Sequence, residues 1–141
     1  MREHKIIFTF QDANGDYHIE CLWASKAGTC YRIDNIPFFT PGIAKGDIVT
    51  VNEEDDQLYF DMVIEPSGHS TIQVVFFNEM LMEPAMEELE KLGCSWEGNQ
   101  ASRLAAVDIP YDVQYTLIQH FLEKGEEEQK WTYKEACLSH Y

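Results

Sequence analysis

Residues 31–71 read YRIDNIPFFTPGIAKGDIVTVNEEDDQLYFDMVIEPSGHST and join two stretches of different rhythm. Pro37 has no N–H and biases Ile36 toward an extended backbone, so regular pairing stops where Ile36-Pro37-Phe38-Phe39 begins. Pro41-Gly42 and Lys45-Gly46-Asp47 are turn signals, and Ile48 to Val51 reads as a strand launched from the second of them. Gln57 to Ile64 returns as its partner, with Leu58, Phe60, Met62 and Ile64 at a period of two, and Glu53-Glu54-Asp55-Asp56 forms the tip between the strands. The segment ends on a small polar loop, Ser67-Gly68-His69-Ser70-Thr71. Phe38 and Phe39 suit a plug that closes one end of a small barrel; the alternative is an exposed docking wedge.

Working back toward the N-terminus, Lys5 to Phe10 has the β-branched and aromatic content of a strand. The Asn14-Gly15 turn leads into Tyr17 to Ala24, which alternates as a half-buried partner. Thr29 to Ile33 is a third short strand. Five strands with short turns predict a small antiparallel barrel or curled sheet over residues 1–66.

Working forward, Thr71 to Phe77 is a continuous β-rich run suited to a strand covered on both sides. Glu83-Pro84 opens a helix whose apolar positions Met82, Ala85, Met86, Leu89 and Leu92 recur at helical spacing, and Gly93 stops it. Cys94 to Glu97 and Arg103 to Ile109 read as strands around a Gly98-Asn99 turn. Pro110-Tyr111-Asp112 opens a second helix that ends near Lys124-Gly125, and Trp131 to Leu138 reads as a last strand. The predicted fold class is α+β, with a ferredoxin-like β-α-β-β-α-β half over residues 67–141. No linker separates the halves, so they are expected to pack as one compact unit.

Charge bounds the function. The chain carries 25 acids against 10 bases, a formal net charge of −15. Twelve acids and 5 bases precede Thr71, and 13 acids and 5 bases follow from it. No acidic tail accounts for the balance, so the folded surface is anionic. Such a surface disfavours nucleic acid and anionic membranes and steers basic proteins; the plainer alternative is that the acidity confers solubility alone. No apolar run is long enough to span a bilayer. Met1-Arg2-Glu3-His4-Lys5 leads directly into a strand-like run without the apolar core of a secretory signal, which predicts a cytoplasmic protein. Cys21, Cys30, Cys94 and Cys137 show no C-x-x-C spacing, and free thiols are expected.

The chemistry-bearing residues are sparse. Ser67 and His69 invite comparison with nucleophilic catalysis, yet no G-x-S-x-G elbow is present, and a local turn explains them more simply. His4, His18, His69, His120 and His140 are scattered, with neither H-x-H nor H-x-x-x-H, so no metal site is predicted. No glycine-rich cradle or basic cluster points to a cofactor or nucleotide. Arg103 stands at a strand end, where solvation is its ordinary fate.

The ordered motifs Trp23-Ala24, Asn35-Ile36-Pro37-Phe38, Gly46-Asp47-x-Val49 and Ser67-Gly68-His69-Ser70-Thr71 resemble an uncharacterised bacterial domain-of-unknown-function family. The resemblance covers about residues 20–75. The family pattern places a basic residue two positions after the S-G-H-S-T loop, where this chain has Gln73, so no role for a cation carries over there. The resemblance implies a fold and no activity. In size and acidity the chain is also similar to the immunity partners of polymorphic toxins.

The leading expectation is therefore a non-enzymatic, acidic protein-binding module: an immunity-type inhibitor of a basic toxin domain, such as a nuclease. Steering would come from Glu53, Glu54, Asp55 and Asp56 at the hairpin tip and from Glu126, Glu127 and Glu128. Binding energy would come from aromatic anchors at Trp96, Trp131 and Tyr133. A second expectation is a small-molecule-binding or regulatory domain with a pocket between the halves, lined by Trp23, Asn35 and His69. A third is an enzyme built on His69 and an acid partner.

Overall fold

The computed structural model describes residues 4–140. The chain is mixed α+β, with mostly antiparallel sheets and two α-helices. Strands β1 (His4–Gln11), β2 (Tyr17–Ala27), β3 (Cys30–Ile33), β4 (Ile48–Glu54) and β5 (Gln57–Glu65) pair in sequence order. β5 also pairs with β1, in parallel and over a short stretch, Ile6 with Leu58 and Ile7 with Tyr59. The inward residues Ile6, Phe8, Leu22, Ala24, Ile33 and Val49 fill this half.

β5 departs from the strict alternation expected of it. Two register shifts against β4 leave Asp61 and Ile64 without a directly opposed partner, since Thr50 faces Met62 while Val51 faces Phe60, and Ile48 faces Glu65 while Val49 faces Val63. Each bulge switches the face that follows it. Phe60 and Val63 pack inward, whereas Met62 and Ile64 are turned out to solvent. The acidic tip is also tighter than expected. Glu53 and Glu54 belong to β4, and Asp55 and Asp56 alone make the turn, both at positive φ (53° and 63°) as a two-residue hairpin requires.

The second sheet has the order β7-β8-β6-β9, with β6 (Ser70–Phe76), β7 (Ser95–Asn99), β8 (Leu104–Ile109) and β9 (Trp131–Cys137), all neighbours antiparallel. Helices α1 (Met82–Lys91) and α2 (Tyr115–Glu127) contribute Met82, Met86, Leu89, Ile118 and Leu122 to the core over one face of this sheet, with Ile72, Val74 and Phe76 beneath them. Two glycines expected to punctuate the chain do not. Gly98 lies inside β7, where a Cβ would stand 2.6 Å from Trp96 Cζ3, and Gly125 lies inside α2 against Trp131. Both are kept small by an indole. The turn after β7 falls instead at residues 100–103, where Arg103 takes a positive φ of 56° and donates from Nη1 to the Phe77 carbonyl at 2.9 Å.

The other face of the second sheet receives the long β3–β4 connection. Gly42 N donates to the Ala136 carbonyl at 2.9 Å, and Thr71 Oγ1 donates to the Ile43 carbonyl at 3.2 Å. Ile36, Pro37, Ile43 and Ala44 are buried along it. Phe39 is not: it is 56% exposed, so this ring does not plug the first sheet as the plainer expectation had it. The Glu20 carboxylate of β2 sets the shape of the loop, accepting from Phe38 N (2.8 Å), Phe39 N (3.2 Å), Thr40 N (2.9 Å) and Thr40 Oγ1 (2.6 Å).

Candidate functional site

The junction of the halves is built by Lys45-Gly46-Asp47 and Ser67-Gly68-His69. Asp47 is buried, and its carboxylate accepts from Ala44 N at 3.0 Å and Ser67 N at 2.9 Å. Gly46 sits at φ 91°, with Ser67 Cβ 3.1 Å from where its own Cβ would be. A side chain there would strain the backbone and push the two segments apart. Ser67 Oγ accepts from His69 N at 3.1 Å, the local turn expected of this loop.

His69 has an acid partner after all. Its Nδ1 lies 2.9 and 3.1 Å from the two carboxylate oxygens of Asp108, near the end of β8. With the carboxylate ionised, Nδ1 carries the proton and donates it. Asp108 is 2% exposed, and burial raises its carboxyl above the ordinary 3.8, opposed by the His69 hydrogen bond and by the charges of His69 and Lys45. The signal for Asp108 was present in the chain as a lone acid in the apolar strand LAAVDI, all six of whose residues are buried.

Ser70 and His140 form a second polar cluster. Ser70 Oγ accepts from Ser139 N at 2.9 Å and His140 N at 3.3 Å, and gives its own proton to His140 Nδ1 at 2.6 Å. His140 Nε2 then donates to the Pro110 carbonyl at 2.8 Å. The fully buried Ser70 hydroxyl thus fastens the C-terminal segment and is not aimed at His69. The His69–Asp108 pair can hold and orient an imidazole, but neither Ser67 nor Ser70 is hydrogen-bonded to its Nε2.

Of the expected pocket residues, Trp23 and Asn35 are hydrogen-bonded to each other and His69 is hydrogen-bonded to Asp108. Asn35 Oδ1 accepts from Trp23 N at 2.6 Å, so these two are neighbours, and Lys5 Nζ sits 5.0 Å from the Trp23 ring centre. His69 shares no hydrogen bond with either and instead stands beside Tyr111. Cavities do occur at the seam, but elsewhere. One of about 450 Å³ is lined by Phe10, Ile19, Phe39, Gln73 and Lys134 among others, and one of about 410 Å³ by Phe38, Phe39, Gln73, Val75 and Lys134 among others. None of Trp23, Asn35 and His69 lines them.

The expected aromatic anchors need correction as well. Trp131 is 4% exposed, and its Nε1 donates to the Leu122 carbonyl at 2.9 Å, so it belongs to the core and offers nothing to a partner. Trp96 and Tyr133 are half-buried and pack against the same core, the Trp96 N–H donating to Glu90. Their period placed them on the helix-covered face of the sheet, which the chain alone does not distinguish from the open one. Glu53, Glu54, Asp55, Asp56, Glu126, Glu127 and Glu128 are all exposed, and Glu128 pairs with Lys130 at 3.1 Å.

An acidic face missed by the sequence reading lies along α1. Glu79 from the short 3-10 turn Glu79–Leu81, together with Glu83 and Glu87, lines a depression of about 440 Å³ with Met80, Pro84 and Gln100. Asn78 caps the turn, its side chain accepting from Met80 N at 2.9 Å. Met80 is 79% exposed.

Residues 20–133 match the family described as domain of unknown function DUF4265. The chain belongs to the DUF4265 family. No curated protein matches it. The DUF4265 chain is similar to a solved structure titled as the novel crystal structure of a hypothetical protein from Neisseria gonorrhoeae, with a TM-score of 0.89 and 26% identity over 100% of this chain and 98% of that one. Neither the family's description nor that structure's title names an activity. Among the described residues no helix of this DUF4265 member is long and apolar enough to cross a membrane.

Proposed function

We propose that this DUF4265 protein is an acidic protein-binding module, an immunity-type inhibitor that covers a basic toxin domain in the cytoplasm. The observation that carries the reading is the α1 face. Glu79, Glu83 and Glu87 line one depression around Met80, which is 79% exposed on a chain of net charge −15. An exposed thioether within a carboxylate rim suits a partner that brings cations around an apolar contact. The tip at Asp55-Asp56 and the exposed glutamates 126–128 extend the anionic field that draws such a partner in.

The reading includes a finer account of the scaffold. The order β7-β8-β6-β9, with helices after β6 and β8, supports a ferredoxin-like split βαβ half, and the return of β5 to β1 supports a small barrel. The hydrogen bonds from Gly42 and Thr71 across the seam support one compact unit in place of two independent domains.

The test is calorimetric titration with the product of the adjacent gene at about 50 and 300 mM salt, where screening of exposed charges differs strongly. Binding tighter than ~1 μM at low salt is expected. Met80→Asp and Glu83→Lys should each weaken it about tenfold or more, since each removes a favourable contact at the centre of the face. An adjacent product that is no toxin, with binding weaker than ~1 μM even at low salt, would sink the proposal.

A further inference from the structure

The two seam cavities meet at three shared residues, Phe39, Gln73 and Lys134. Gln73 of β6 and Lys134 of β9 are directly opposed in the antiparallel register. Their side chains therefore leave the sheet on the same face, about 5 Å apart at Cβ, and it is the face away from Ile72, Val74 and Trp131. Both are chemically unfinished. Gln73 Nε2 is buried without a hydrogen-bond partner. Lys134 makes no hydrogen bond or ion pair with any described residue, in a chain with 25 acids to choose from. The cations Lys91 and Lys130, by contrast, each hold a glutamate.

Apolar walls run to either side of this polar neck. Ile19 (70% exposed), Phe39 (56%) and Val75 (42%) leave large apolar area in water along the two cavities. Asp12 is the acid that lines the groove, and its charge is already engaged: it accepts from Asn14 N and Asp16 N, and pairs with His18 Nε2 at 2.7 Å. The His18 hydrogen bond, the largest cause, holds the Asp12 carboxyl below its ordinary value.

We propose that the groove between the sheets binds a small amphiphilic carboxylic acid, its carboxylate held by Lys134 and Gln73 and its apolar tail laid along Phe39 and the flanking walls. Rotation about the last torsion of Gln73, a soft one, turns the buried NH₂ into the groove beside the ammonium. A carboxylate then accepts from both groups. A neutral head group would leave the ammonium unpaired. A doubly charged phosphate would meet a single cation within a field of net charge −15, which opposes it. Each cavity falls in the range of small-molecule sites, about 300–1,000 Å³.

Decanoate is the probe, titrated calorimetrically below its micelle concentration and compared with decanol, which has the same tail without the carboxylate. Saturable one-to-one binding of decanoate is expected, with decanol at least about tenfold weaker, the worth of one charge-assisted hydrogen bond. Lys134→Met and Gln73→Leu should each weaken decanoate about tenfold while leaving decanol within about twofold. Both positions face the groove, and unchanged melting temperatures would show that the variants are folded. Amide NH₂ resonances of Gln73 should shift in the wild-type protein on addition of decanoate. No saturable binding, equal binding of decanoate and decanol, or full affinity in Lys134→Met would each overturn the assignment.

Discussion

The indole of Trp131 lies so close over Gly125 that a Cβ on this glycine would stand 1.9 Å from Cζ2 and 2.1 Å from Cε2. Glycine in a helix interior ordinarily costs about 1 kcal/mol relative to alanine. Here the smaller residue is what lets α2 pack against β9, with the Trp131 N–H satisfied on the Leu122 carbonyl. Gly125→Ala should therefore destabilise the fold, against its helix propensity, by about 3 kcal/mol, because the indole must leave its seat among Phe76 and Phe121. A fall in melting temperature of roughly 10 °C is expected. An unchanged or raised melting temperature would show that the ring moves aside at no cost.

Glu20 makes the equivalent commitment in the first half. Its carboxylate accepts four hydrogen bonds from residues 38–40, so one side chain on β2 defines the loop that carries Phe39. Glu20→Ala should cost about 2–3 kcal/mol, since three backbone N–H groups lose a charged acceptor. Hydrogen exchange at the amides of Phe38, Phe39 and Thr40 should speed up more than exchange in β1. Uniform protection in the variant would mean that packing at Ile36 and Ile43 holds the loop without help.

Much of this architecture was legible in the chain. Asn14-Gly15, Gly93 and the apolar spacing of Met82, Ala85, Met86 and Leu89 mark a turn, a stop and a helix face by local rules, and they stand where those rules put them. What failed did so where tertiary contact overrides local pattern. Met62 and Ile64 look inward by period and face outward because the bulge at Asp61 switches the face. Gly98 and Gly125 look like breaks and are sites of indole contact. Trp131 looks like an anchor for a partner and is core. The groove was illegible because Gln73 and Lys134 are distant in sequence and meet only through strand register.

Asp108 makes a pH prediction with a definite sign. Burial raises its carboxyl above 3.8, so between 3.8 and the folded-state value the folded protein binds more protons than the unfolded one. Stability from this group is fully present below the unfolded value and is lost as pH rises through the folded value. Asp108→Asn lacks that dependence while keeping nearly the same shape. Melting curves of the two proteins from about pH 7 to pH 4 should show their difference moving in favour of the wild type as pH falls. Comparing the pair cancels the other carboxylates. A difference that stays flat with pH would mean that His69, Lys45 and the hydrogen bond from the Ser95 side chain offset the burial completely.

Cys94 follows from the same neighbourhood. Burial, with the Asp108 charge as a smaller cause, pushes its thiol up to about 12. At about pH 8 only about one molecule in ten thousand then carries the thiolate, the form that reacts with alkylating agents. Cys21 is exposed. Iodoacetamide added to the folded protein should label Cys21 first, with Cys94 modified only as fast as the second half opens. Peptide mass mapping reads both rates in one experiment. Asp108→Asn removes the smaller of the two causes and leaves the burial, so Cys94 should stay protected in that variant. Rapid labelling of Cys94 in the folded wild type would place the thiol outside the core shared by Leu89, Val107 and Ile109.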